Sequence, residues 1–90
     1  GIKAMTLNRR HQRTLDAICT VPVPAGVRWA AIEALFVALG ANLREGSGSR
    51  VRVTLNDARA TFHRPHPQPE TKQYAVRNVR QFLKDTGVIP

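Results

Sequence analysis

Residues 50–63 read RVRVTLNDARATFH, and this stretch decides the fold. Apolar and polar residues alternate on both sides of Asn56-Asp57, which is the period of strands with one buried and one exposed face. Asn and Asp both tolerate left-handed backbone, so the dipeptide predicts a two-residue hairpin turn. Counting outward from this turn predicts a register that pairs Leu55 with Ala58, Val53 with Ala60 and Val51 with Phe62 on the buried side, and Arg52 with Thr61 and Arg50 with His63 on the other. The exposed side of the hairpin is therefore basic.

The remaining sequence supplies three helices and one more strand. Apolar spacing and end signals predict helices over residues 8–18, 28–39 and 74–86, and residues 41–44 are expected to form a short strand. From residue 28 onward the order is α-β-β-β-α, and both helices have a single apolar stripe that must cover the apolar sheet face. We therefore expect an α+β fold with a three-stranded antiparallel sheet, helices packed on one face, and an extra N-terminal helix.

A proline-rich segment separates the first helix from this core. Pro22 and Pro24 forbid helix within residues 20–26, so the helix that precedes them is expected to be an appendage. Residues 1–4 precede Met5 and look like a remnant of an expression vector, with the natural start at Met5. We expect three parts: vector residues 1–4, a helix and linker over 5–26, and the functional domain over 27–90.

The charge of the chain favours a polyanionic partner. Its 90 residues contain 14 Lys and Arg against 6 Asp and Glu, which gives a formal charge of +8 and a pI near 11.4. Such an excess suits the neutralisation of phosphates. Nucleic acid is the leading partner, an acidic protein is the second, and a role in solubility alone is the third possibility.

Several classes of protein are disfavoured by the sequence. Cys19 stands alone, so an internal disulfide is impossible; we expect it in the core of a protein of the reducing cytoplasm. The longest apolar stretch, residues 29–41, is too short for a membrane span, and no signal-peptide pattern opens the chain. Residues 46–49 lack the lysine and glycine spacing of a P-loop, and no dinucleotide fingerprint occurs. We expect neither a membrane partner nor a small-molecule cofactor.

Two histidines are the candidates for chemistry. His63 and His66 bracket Arg64-Pro65, and they lack the third ligand that a metal site requires, so no metal is expected. A histidine can instead take a proton from a ribose 2′-hydroxyl or give one to a leaving oxygen, while arginine stabilises the phosphate charge. The other possibility is a polar loop with solvated histidines. The candidate RNA-binding residues are Arg50, Arg52, Arg64, the turn serines Ser47 and Ser49, and Arg77 and Arg80 on the last helix.

The second helix, the Gly46-Ser47 turn before the hairpin, the His66-Pro67 loop and the helical stretch over residues 75–79 together resemble the HicA family of bacterial toxins. The resemblance covers residues 28–88. It implies a fold like the double-stranded RNA-binding domain, which makes residues 27–90 a HicA-like RNA-binding domain. It also implies an mRNA interferase that cleaves translated RNA without a metal and that a HicB antitoxin neutralises.

The sequence departs from the family pattern at one position. The family motif is Gly-Ser-His, with the histidine as the catalytic residue, whereas Gly48 follows Gly46-Ser47 here. Either His66, or His63 as its alternate, takes over the acid/base role, or the domain binds RNA without cutting it. The non-catalytic alternatives are an RNA-binding module and an interaction protein that binds an antitoxin.

Overall fold

A computed structural model describes residues 7–90; the expectations for residues 1–4 and Met5 lie outside that range. Six elements follow one another along the chain: α1 (Arg9–Cys19), α2 (Trp29–Ala38), β1 (Asn42–Glu45), β2 (Arg50–Leu55), β3 (Ala58–His63) and α3 (Gln73–Thr86). The strands form one antiparallel sheet in the order β1-β2-β3. The predicted α+β fold is confirmed, and the predicted bounds differ by one residue at several ends.

The β2–β3 hairpin has the predicted register throughout. Asn56 and Asp57 have φ angles of 50° and 69°, the left-handed pair that matches the twist of a two-residue hairpin. Leu55 lies opposite Ala58, and Arg50 lies opposite His63 at the far end. Asn56 also donates a hydrogen bond from Nδ2 to the carbonyl of Thr86, 3.1 Å away. The turn is therefore tied to the end of α3.

Aromatic packing joins the two helices to one face of the sheet. Phe36 of α2, Phe62 of β3 and Phe82 of α3 contact one another, with each pair of ring centroids 5.8 Å apart. Trp29 adds a further contact, 5.6 Å from the ring of Phe62. Edge-on and offset rings of this kind stabilise beyond the area that they bury. The core lies between the sheet and these helices, and the other sheet face stays open.

The expectation that α1 is an appendage is wrong. Ile18 is fully buried in the same core as α2 and α3, and the linker residues Val23 and Val27 are buried with it. Arg80 of α3 donates hydrogen bonds to the carbonyls of Ile18 at 2.7 Å and Thr20 at 2.9 Å. The prolines exclude helix from the linker, but they leave Val23 free to pack, while Val21 stays exposed.

Cys19 is exposed, so its expected place in the core is also wrong. It is the last residue of α1, and the helical rotation that turns its neighbour Ile18 inward turns Cys19 about 100° away.

Candidate nucleic-acid interface

The open face of the sheet is polar and basic across all three strands. Strand pleating and the observed register place eight exposed side chains on it: Asn42 and Arg44 from β1, Arg50, Arg52 and Thr54 from β2, and Arg59, Thr61 and His63 from β3. We call this set the open face. It contains four arginines and no carboxylate. Its formal charge suits a polyanion, and the hydroxyls and the amide add neutral hydrogen-bond donors.

Arg50 and His63 are paired at one end of the open face. The Arg50 Nε atom lies 3.5 Å from His63 Nε2, and Arg50 Nη1 lies 3.5 Å from the hydroxyl of Ser47. Both distances are at the outer limit for a hydrogen bond, so the guanidinium can turn toward a phosphate at little cost. The predicted juxtaposition of an imidazole and a guanidinium is confirmed by the strand register.

The loop after β3 carries the second histidine. His66 is exposed, and it lines an open cleft of about 720 Å³ together with His63, Lys72 and Tyr74. The strand places His63 at the end of the open face, while the loop places His66 in the cleft. The two candidate acid/base residues therefore border a single cleft, which is continuous with the basic sheet surface through His63.

The β1–β2 turn contains the position where the family motif has histidine. The backbone N–H of Gly46 donates to the Arg50 carbonyl, and the N–H of Arg50 donates to the Ser47 carbonyl. Gly48 has φ +64°, and a Cβ built on it would meet no atom within 4 Å. The turn thus prefers glycine at this position for its backbone angle and not for lack of space. Ser47 and Ser49 are exposed on either side of it.

Arg64 is engaged with two carboxylates. Its Nε lies 2.7 Å from Glu33 Oε2, and its Nη1 and Nη2 donate to the carboxylate of Glu45 at 2.5 and 2.9 Å. Trp29 donates its indole N–H to the same Glu33 carboxylate. Hydrogen bonds from Arg64 lower the pKa of Glu45, and the hydrogen bonds to Glu45 and Glu33 raise the pKa of Arg64. Arg64 thus ties the start of the histidine loop to α2 and β1, and its predicted contact with RNA stays a prediction.

The two arginines of α3 that were predicted as RNA contacts have different surroundings. Arg77 is exposed, as a phosphate contact would require. Arg80 points back to the end of α1, where its guanidinium binds the carbonyls of Ile18 and Thr20. Free carbonyls at a helix end accept such bonds readily. The structure therefore gives Arg80 a structural role, and its predicted RNA contact stays a prediction.

Two arginines of the open face were not predicted as site residues. Arg44 lies opposite Arg52 in the β1–β2 ladder, and Arg59 lies opposite Thr54 in the β2–β3 ladder. The same alternation that identified Arg50 and Arg52 could have found Arg59, because it lies two residues from Thr61 in β3. Arg44 could have been found in the same way, because it follows the apolar Leu43 within the strand predicted over residues 41–44.

Two kinds of feature are absent from the part of the chain that the structure describes, namely a cluster of metal ligands and a membrane-spanning helix. Within residues 7–90, no three His, Cys, Asp or Glu side chains are arranged to hold a metal ion. No helix in that range has the length and apolar character needed to cross a membrane. The expectation that the protein works without a metal or a small-molecule cofactor stays a prediction.

Comparison with known families adds the decisive observation. The family model described as HicA toxin of bacterial toxin-antitoxin matches residues 29–88, which contain α2, the sheet and α3. This chain belongs to the HicA toxin family. No curated protein and no solved structure matches it significantly. The resemblance inferred from the sequence is confirmed, and membership makes the chain a toxin of a bacterial toxin-antitoxin system, with RNA as the general substrate and an antitoxin as the general partner.

Proposed function

We propose that this HicA-family toxin acts in the cytoplasm, where it binds mRNA, cleaves it without a metal and is neutralised by a HicB-like antitoxin. The observation that carries the proposal is the Arg50–His63 pair on a basic sheet face, beside the cleft that His66 also borders. This arrangement supplies a cation for the phosphate and imidazoles for proton transfer.

The proposed cleavage is a transfer within the RNA. An imidazole takes the proton of a ribose 2′-hydroxyl, and the 2′-oxygen forms a bond to the adjacent phosphorus. The bond from that phosphorus to the 5′-oxygen of the next nucleotide breaks, and the 5′-oxygen takes up a proton from a histidine or from water. The products are a 2′,3′-cyclic phosphate and a 5′-hydroxyl, and no metal takes part.

His66 is the first candidate for the acid/base role and His63 is the alternate. The His66 ring is exposed in the cleft and has no hydrogen-bond partner among the described residues, whereas Nε2 of His63 faces Arg50. Arg50 and Arg52 stabilise the charge that develops on the phosphate. Ser47 and Ser49 offer hydroxyls at the turn, and Arg77 extends the contact to α3.

The direct test is incubation of the purified protein with end-labelled single-stranded RNA in EDTA. The wild type is compared with His66→Ala, His63→Ala and, as a matched control on α1, His11→Ala. We expect cleavage with a 2′,3′-cyclic phosphate end, lost in His66→Ala or in His63→Ala and kept in the control. Full activity in all three variants would contradict the assignment of both histidines.

Gly48 supports a second candidate function, RNA binding without cleavage, because the family histidine is replaced there. Under this alternative the wild type binds RNA in EDTA and leaves it intact. The same assay therefore separates the two functions, provided that binding is measured on the same samples by gel shift.

A further inference from the structure

Three arginines of the open face form a cluster apart from the histidines. Arg44, Arg52 and Arg59 line one shallow hollow in the sheet, together with the side chains of Thr54 and Thr61. We call it the arginine hollow. It occupies the rows of the sheet next to the row that holds Arg50 and His63.

The three guanidinium groups lie within reach of a common ligand. Arg44 and Arg52 are directly opposite each other in the β1–β2 ladder, where Cα atoms are about 5.5 Å apart or less. Arg59 is the diagonal neighbour of Arg52, because Arg52 pairs with Thr61, and diagonal neighbours lie about 7–8 Å apart. Arginine side chains are long enough to converge over such distances.

These charges have no compensation in the protein itself. Within residues 7–90, none of the three guanidinium groups has a salt bridge or a side-chain hydrogen bond, in contrast to Arg64 and Arg80. Like charges directly opposite each other in a sheet are destabilising. An unpaired cluster of this kind on an exposed face is the electrostatic signature of an anion site.

The character of the open face decides between RNA and an acidic protein as the anion. The eight side chains of the open face include no apolar residue and no Phe, Tyr or Trp, and His63 at one end carries the only aromatic ring among them. Stable protein interfaces are centred on such residues, and base-stacking platforms require aromatic rings. Arginine forks and hydroxyls suit phosphate oxygens instead.

We propose that the arginine hollow binds the phosphate backbone of single-stranded RNA next to the segment that enters the histidine cleft, without reading its bases. This inference rests on the proposed function and adds to it a second binding site, which includes Arg44 and Arg59. The ligand crosses the open face, so that one continuous strand contacts the hollow and His63.

The test measures binding to a 2′-O-methyl RNA oligonucleotide, which cannot be cleaved because its 2′-hydroxyl is blocked. The triple variant Arg44→Ala/Arg52→Ala/Arg59→Ala is compared with a charge-matched control, Arg9→Ala/Arg10→Ala/Arg13→Ala on α1. The loss of three phosphate contacts is expected to weaken binding at least about tenfold at low salt. It should also reduce the slope of log affinity against log salt by about 2, since each contact with a single strand contributes about 0.7. The control keeps most of the slope.

A second readout locates the ligand. In ¹⁵N spectra of the wild type, the side-chain Nε–H signals of Arg44, Arg52 and Arg59 are expected to shift on titration with the oligonucleotide, and base substitutions in the oligonucleotide should leave these shifts in place. The wild type and both variants are checked for folding by thermal unfolding.

The outcomes separate the two proposals. If the wild type binds and cleaves RNA but the triple variant binds RNA as tightly as the control, the arginine hollow is not an RNA site. The inference is then wrong, and the proposed function stands. If the triple variant loses only its binding to a neutralising protein partner, the ligand is a protein and the inference fails. If the wild type binds no RNA at all, the proposed function is wrong, and the inference about the arginine hollow is wrong with it.

Discussion

At the scale of single residues, the site is defined by which side chains are engaged and which are free. Arg64 is held between Glu33 and Glu45, whereas the arginines of the hollow are exposed and have no side-chain partner among residues 7–90. The sequence does not distinguish Arg64 from the arginines of the hollow, because each of them lies near a histidine or at an exposed strand position. The surroundings of an arginine, and not its residue type, determine whether it bonds to the protein itself or is free to contact a ligand.

Replacement of Glu45 by Gln tests the ion pair between Arg64 and Glu45 through the pH dependence of stability. Hydrogen bonds from Arg64 lower the pKa of Glu45 in the folded state, so this carboxylate adds stability above its unfolded pKa of about 4.3. That stability is lost as the pH falls through the lower folded pKa. Thermal unfolding of the wild type and of Glu45→Gln is therefore expected to differ most near neutral pH, and the difference should shrink in acid. An equal difference at all pH values would contradict this role of the ion pair.

The replacement Gly48→His returns an imidazole to the position of the family motif. Space for the side chain is present, but the backbone there has φ +64°, so the change should cost about 1 kcal/mol of stability. We expect RNA cleavage in EDTA to increase over the wild type. The control is Gly48→Asn, which accepts the same backbone angle without an imidazole and should leave cleavage unchanged. An equal effect of both replacements would show that the imidazole is not responsible.

At the scale of elements, the hairpin was predictable and the packing of α1 was not. The register of β2 and β3 follows from a period of two and one turn, both of which are local in the sequence. The place of α1 depends on Arg80, whose hydrogen-bond acceptor Ile18 lies 62 residues away. The contacts of Arg64 with Glu33 span 31 residues. Such distant contacts leave no periodic pattern, so the sequence could name these arginines but not their partners.

The attachment of α1 can be tested at Arg80. The variant Arg80→Ala leaves the carbonyls at the end of α1 without their charged donor, and such a loss costs about 1.5–3 kcal/mol. The expected result is a lower midpoint in urea unfolding. Arg77→Ala provides the control because Arg77 is exposed on the same helix; it should change the midpoint little. If both variants have the same urea midpoint as the wild type, the hydrogen bonds from Arg80 to the end of α1 contribute nothing measurable to stability.

At the scale of the whole molecule, the two faces of the sheet have different surroundings. One face packs on α2 and α3, and the other presents the open face to solvent. The family match covers α2, the sheet and α3 but not α1, although α1 shares the core. The overall charge predicted a polyanion as partner, and the strand register adds Arg44 and Arg59 to the basic face that the hairpin pattern predicted.

Neutralisation by a HicB-like antitoxin is tested on the intact toxin. Expression of the toxin in bacteria is expected to arrest growth, and co-expression of a HicB-like partner should restore growth and yield a complex that copurifies. Addition of the partner to the cleavage assay should reduce RNA cleavage in proportion to the complex formed. Growth arrest that persists despite a stable complex would contradict neutralisation by this partner. The Glu45→Gln variant serves as the control toxin in these assays, because Glu45 lies outside the open face.

The alternation of the hairpin has a consequence for mutational freedom. Every second residue of β2 and β3 is in the core or packs against it, and the residues between them are exposed on the other face. Substitutions in the two sets act on different neighbours, so for pairs more than about 10 Å apart their effects on the free energy of unfolding should be nearly additive. A toxin built on this sheet can exchange its ligand-facing residues one at a time while its interior stays unaltered, and the two properties can diverge independently.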